Sequence, residues 1–89
     1  QMNQLNNIYK LHISDSFKKE VSKNESIKTH LISKLEILRK NPWHPGLRAK
    51  KIQPKNTGFF SARINKQWRI IFKIEKDIIK ILSLSKHYE

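Results

Sequence analysis

Two arginines six residues apart, Arg63 and Arg69, are the first side chains whose setting implies chemistry. Phe60, Ala62 and Ile64 alternate on one face of a strand, and Trp68, Ile70, Phe72 and Ile74 alternate on one face of the next. If both sets face the same core, the link between them has odd length. The simplest link is Asn65-Lys66-Gln67, which pairs Ile64 with Trp68. Asn65 tolerates the left-handed backbone that such loops often use. Arg63 then lies directly opposite Arg69, on the face away from the core. Like charges so placed repel unless an anion lies between them, and the planar guanidinium fork fits phosphate oxygens.

The other reactive side chains are fewer. Of the histidines His12, His30, His44 and His87, the last suits proton transfer, because imidazole titrates near neutrality. His44, between Trp43 and Pro45, reads as structural; His30 on a polar helix face and His12 on the first strand read as uninvolved. No helical His-x-x-x-His pair or carboxylate cluster is present, so neither metal nor cofactor is expected. Cysteine is absent, which removes thiol chemistry and disulfides. Gly46 and Gly58 are the only glycines, too few for a phosphate-cradling loop, and no Ser-His-Asp arrangement can be argued. Lys50, Lys51, Lys55, Lys66 and Lys73 are candidates for binding a substrate's phosphates. Tyr88 either stacks on a base or packs on the sheet.

Nineteen Lys and Arg against seven Asp and Glu give a net charge of +12. The excess is uneven: residues 46–89 carry eleven bases against three acids, residues 1–45 eight against four. Such a field attracts a polyanion, most often a nucleic acid. No apolar run reaches the ~20 residues of a membrane span, and no signal peptide is visible, so a cytoplasmic protein is expected.

The elements that must position these groups can be read along the chain. At 89 residues it forms one domain, 1–89. Residues 7–13 alternate, with Ile8, Lys10 and His12 on one face and Tyr9, Leu11 and Ile13 on the other, as in a half-buried strand. Ser14-Asp15-Ser16 can cap a short helix carrying Phe17 and Val21. Asn24-Glu25-Ser26 starts a longer helix, in which Ile27, Leu31, Leu35 and Leu38 form one apolar face, and Asn41-Pro42 ends it. Strands follow at 59–64, 68–74 and 77–84, with Glu75-Lys76 as a tight turn. Residues 47–52 read as a weaker strand and 53–58 as a turn. Most aromatic residues, Trp43 among them, read as core, while Phe59 reads as facing out. The expected fold is α+β, two helices on one face of a mainly antiparallel four-stranded sheet.

The stretch Gly58-Phe59-Phe60-Ser61-Ala62-Arg63-Ile64-Asn65-Lys66-Gln67-Trp68-Arg69-Ile70-Ile71-Phe72 resembles toxins of the RelE/ParE superfamily in type II toxin-antitoxin systems. It is most similar to the HigB and YoeB branches, where a Ser-x-Arg-Ile segment leads into an aromatic-Arg-hydrophobic strand. His44-Pro45-Gly46-Leu47-Arg48 and the closing Lys86-His87-Tyr88 fit the same pattern, and the element order covers nearly the whole chain.

The resemblance implies metal-independent cleavage of mRNA at the ribosome, and inhibition by a cognate antitoxin protein. It matches Arg69 to the family's transition-state arginine, and His87 and Tyr88 to the C-terminal pair of the YoeB branch. Two positions depart from the pattern. Lys50 stands where the YoeB branch has a glutamate as candidate base, and the order Lys86-His87-Tyr88 replaces the Asp-Tyr-His ending of the HigB branch. The general base is therefore left open. In such a reaction Arg69, then Arg63, would stabilise the phosphorane, His87 would transfer a proton, and Lys50 and Lys51 would hold phosphates. An acidic or amphipathic antitoxin segment would cover the 48–73 surface or displace the C-terminus. The alternatives are a gyrase-poisoning toxin of the ParE kind and a catalytically inactive RNA- or ribosome-binding domain.

Overall fold

A computed structural model describes residues 8–52 and 57–86. Strand β1 (Lys10–Ile13) leads directly into helix α1 (Asp15–Ser22). The Ser14 hydroxyl accepts from the Phe17 N–H at 3.0 Å, the N-cap expected there. A 3-10 turn at Glu25–Ile27 runs into helix α2 (Lys28–Lys40), which stops at Asn41, in extended backbone before the buried Pro42. A second 3-10 turn, Pro45–Leu47, precedes the two-residue strand β2 (Lys50–Lys51). The expected strand over 47–52 is thus shortened to Lys50–Lys51. Leu47 is in the core, and Arg48 adopts the left-handed conformation (φ 47°), which breaks any extended run.

The rest of the chain is an antiparallel meander of β3 (Phe59–Arg63), β4 (Trp68–Glu75) and β5 (Ile78–Lys86). The sheet order is β1-β5-β4-β3-β2, with β1 parallel to β5 and every other pairing antiparallel. It therefore has five strands rather than four, short β2 being the addition. The β4–β5 turn is Lys76-Asp77, one residue beyond the expected Glu75-Lys76, and Lys76 takes the left-handed backbone (φ 58°) that closes it.

Both helices lie against one face of the sheet. Phe17, Ile27, Leu31 and Leu38 from the helical half are buried with Ala62, Ile64, Ile70, Phe72, Ile79, Ile81 and Leu84. Simple alternation along β5 would carry Ser83, not Leu84, into this core. A bulge prevents it: Phe72 pairs with Ile81 and Ile71 with Ser83, leaving Leu82 as the extra residue. The backbone groups freed there are satisfied from α1. The Ser14 hydroxyl donates to the Leu82 carbonyl at 2.9 Å, and a Glu20 carboxylate oxygen accepts from the Leu84 N–H at 2.9 Å. Trp43, expected in the core, is about half exposed (51%) and meets Phe60 edge-on at 5.1 Å.

Candidate functional site: the arginine pair on the outer sheet face

The β3–β4 hairpin has the register that the alternation implies. Ala62 pairs with Ile70 and Arg63 with Arg69, and the Ile64 N–H donates to the Trp68 carbonyl at 2.9 Å across the Asn65-Lys66-Gln67 loop. Asn65 serves the loop differently from the expectation. Its φ is not positive; instead its side-chain oxygen accepts from the N–H groups of Gln67 (2.8 Å) and Trp68 (2.9 Å), so an Asx-type turn replaces a left-handed residue. Because Ile64 and Trp68 form a hydrogen-bonded pair, Arg63 and Arg69 form a non-hydrogen-bonded one, the closer of the two geometries at a Cα separation of about 4.5 Å.

The arginines are half-buried rather than splayed into solvent. The Arg63 Nε donates to the Asn65 carbonyl at 3.3 Å. The Arg69 Nη1 is buried with no hydrogen-bond partner among the described residues. A desolvated guanidinium N–H without an acceptor is costly, and it is aimed from a face where the nearest neighbour across the ladder is another cation. An anion with oxygen acceptors would relieve both costs.

The acids of the described residues do not relieve them. Glu36 pairs with Arg39 and Lys40, Glu25 with Lys28, and Glu75 with Lys80 (2.8 Å) and Lys73 (3.9 Å). The Arg39 hydrogen bond holds the Glu36 carboxyl below its ordinary range, and the Lys80 hydrogen bond and charge do the same for Glu75. Both acids are thus committed as carboxylates to the end of α2 and to the β4–β5 turn. Arg48, Lys50, Arg63, Lys66 and Arg69 have no acidic partner among the described residues.

The lysine candidates separate. Lys50 pairs with Ser61, two residues before Arg63, so it shares the arginines' face. Lys51 pairs with Phe60 and points to the opposite face. Lys66 is exposed in the hairpin loop beside the pair. Lys73 shares the face but lies two cross-strand pairs along, roughly 13 Å away at strand spacing, where it sits over the Phe59 ring and beside Glu75. Phe59 itself is on the outer face, as expected, though half covered. Lys55, His87 and Tyr88 lie outside the described residues. Lys86, the last described residue, pairs with Trp68 next to the Arg69–Ser85 pair, so β5 ends beside the arginine pair.

Among the remaining histidines, the His44 Nδ1 accepts from the Gly46 N–H at 2.9 Å, which caps the 45–47 turn and gives it the structural part assigned to it. His12 is exposed on β1 at the far edge of the sheet. Sequence reasoning set His30 aside too, yet it lines an open groove of about 630 Å³ together with Lys34, Arg48, Arg63 and Lys66. Periodicity gives no sign of this cluster, because its members come from α2, the 45–48 turn and the hairpin loop. Among the described residues no group of three His, Asp or Glu converges as a metal site would require, and no helix is long and apolar enough to cross a membrane.

The described residues form a small α+β unit whose outer face presents an arginine pair, one of them with a buried N–H that has no hydrogen-bond partner among those residues. The chain belongs to the YoeB-like toxins of bacterial type II toxin-antitoxin systems, whose family model matches residues 9–88. No curated protein sequence matches it significantly. Solved structures with the same fold include the DinJ–YafQ toxin-antitoxin complex of E. coli, with a TM-score of 0.74 at 15% identity over 89% of this chain and 92% of that one. The YoeB–YefM complex of Staphylococcus aureus gives 0.70 at 22% identity over 90% and 98%. The YoeB/ParE toxin of Agrobacterium tumefaciens gives 0.73 at 13% identity over 89% and 99%. The RelE/ParE-type fold inferred from the 58–72 stretch is therefore the fold of the whole described chain.

Proposed function

We propose that this toxin is a metal-independent, ribosome-dependent mRNA endonuclease that inhibits translation in the cytoplasm. The observation that carries the reading is the buried Arg69 Nη1, without a hydrogen-bond partner among the described residues, opposite Arg63. In the reaction the substrate's 2′-oxygen attacks the adjacent phosphorus and the bond from phosphorus to the 5′-oxygen breaks, leaving a 2′,3′-cyclic phosphate and a 5′-hydroxyl. Charge builds on the non-bridging oxygens in the phosphorane. Arg69 donates to them with the N–H that has no acceptor among the described residues, and Arg63 supports it from the neighbouring strand. His87 transfers a proton, to the leaving 5′-oxygen or from the 2′-hydroxyl. Lys50 shares the arginines' face and holds a flanking phosphate. Lys66 acts from the hairpin loop, Lys51 and Lys73 serve binding further out, and Lys55 and Tyr88 contribute to substrate binding.

A cognate antitoxin is the protein partner, as in the complexes of the similarly folded toxins. An acidic or amphipathic segment laid over the 48–73 surface would meet cations that have no acidic partner of their own. The test is primer extension on mRNA from cells expressing the chain. The expected result is new 5′ ends in translated messages, in frame with codons and lost in an Arg69→Ala strain. Intact messages accompanied by gyrase-linked DNA breaks would move the assignment to gyrase poisoning.

A further inference from the structure

The basic groove beside the arginine pair is a second feature with its own chemistry. His30 and Lys34 reach it from α2, Arg48 from the turn after Pro45–Leu47, and Arg63 and Lys66 from the β3–β4 hairpin; none of its lining residues is acidic. Two devices hold it in shape. The Lys34 Nζ donates to the Gly46 carbonyl at 3.1 Å, tying the turn to the helix. Arg48 sits at φ 47°, ψ 45°, a conformation that costs a non-glycine residue energy and is commonly retained where it serves a site.

We infer that this groove binds the RNA backbone flanking the cleavage site, taking one or two phosphates and so fixing the direction in which the strand leaves the arginine pair. The inference rests on the endonuclease reading for its ligand, but not on the catalytic role of any residue. Arg63 belongs both to the pair with Arg69 and to the groove wall, so the cations form one continuous track from Arg69 through Arg63 to Arg48 and Lys34. The lining suits phosphates, since its charged members are all basic. Its apolar members are Pro45 and Ile64, and Ile64 is buried in the core (2% exposed). The groove offers charge and hydrogen-bond donors from His30, Lys34, Arg48, Arg63 and Lys66, which is what a sugar-phosphate chain recognises.

The experiment measures binding of a 2′-O-methyl oligouridine, which lacks the attacking hydroxyl, to the full chain by fluorescence anisotropy across a salt series. The variant is Lys34→Gln with Arg48→Asn. Gln retains a donor for the Gly46 carbonyl, and Asn tolerates the left-handed backbone. A charge-matched control, Lys18→Gln with Lys28→Gln, alters the crevice between α1 and α2 instead. The groove variant should lower the slope of log K against log salt by about 0.7–1.4, the loss of one to two single-strand phosphate contacts, with the control falling clearly less. An unchanged slope, or an equal fall in the control, overturns the inference. Because nothing is cleaved in this assay, a wild-type cleavage rate for Arg69→Ala would refute the catalytic reading while leaving the groove result standing.

Discussion

Replacing Arg69 by Met should make the free toxin more stable while removing its activity. Two terms in the structure set the size of the effect. Directly opposed like charges on a ladder cost about 0.2–1 kcal/mol, and Arg63 and Arg69 are such a pair. A buried hydrogen-bonding group left unsatisfied costs about 1–3 kcal/mol, and the Arg69 Nη1 is one. Methionine keeps much of the aliphatic stem and its packing while deleting both costs. After allowing for imperfect repacking, a net gain of about 1–2 kcal/mol is expected. For a domain of this size that raises Tm by about 4–16 °C. The assay is thermal unfolding followed by circular dichroism at low salt in a phosphate-free buffer. Raising the salt should narrow the difference, since the repulsive part is screened, and adding inorganic phosphate should stabilise the wild type more than the variant. In single-turnover cleavage on programmed ribosomes the same variant should be slower by about 10²–10³-fold. An Arg69→Met protein that melts at or below the wild-type temperature would refute the reasoning, because the arginine would then be relieved in the free protein by something other than an anion.

His87→Ala should reduce single-turnover cleavage by about 10²–10⁴-fold with the fold intact by circular dichroism; a wild-type rate would remove the histidine from proton transfer. Lys50→Ala should weaken RNA binding more than Lys51→Ala, since only Lys50 shares the arginines' face, and equal losses would argue against that face as the RNA surface. Ser14→Ala removes both a helix cap and the donor to the bulge carbonyl at Leu82. It should cost about 2 kcal/mol, from a cap worth ~1 and a hydrogen bond worth ~1, read as a lower denaturation midpoint without a change in slope.

What the sequence determined by itself was local. Period-two alternation on the two strands requires an odd-length link, because a one-residue slip would turn every apolar side chain of one strand to the wrong face, and the simplest such link, Asn65-Lys66-Gln67, places Arg63 against Arg69. The Ser14 cap, the apolar stripe from Ile27 to Leu38 and the stop at Asn41-Pro42 were legible for the same reason, as each depends on residues within a turn or two. The tertiary structure decided whatever depends on residues far apart in the chain. It placed β1 alongside β5 in parallel. It inserted the Leu82 bulge, whose backbone groups are satisfied by Ser14 and Glu20, 68 and 64 residues from their partners. It turned Lys50 and Lys51 to opposite faces through their pairing with β3, and it assembled His30, Lys34, Arg48 and Lys66 into one groove. No periodicity encodes these outcomes, because they arise when separate elements meet around a shared core, and a residue's neighbours across that meeting are set by packing rather than by position in the chain.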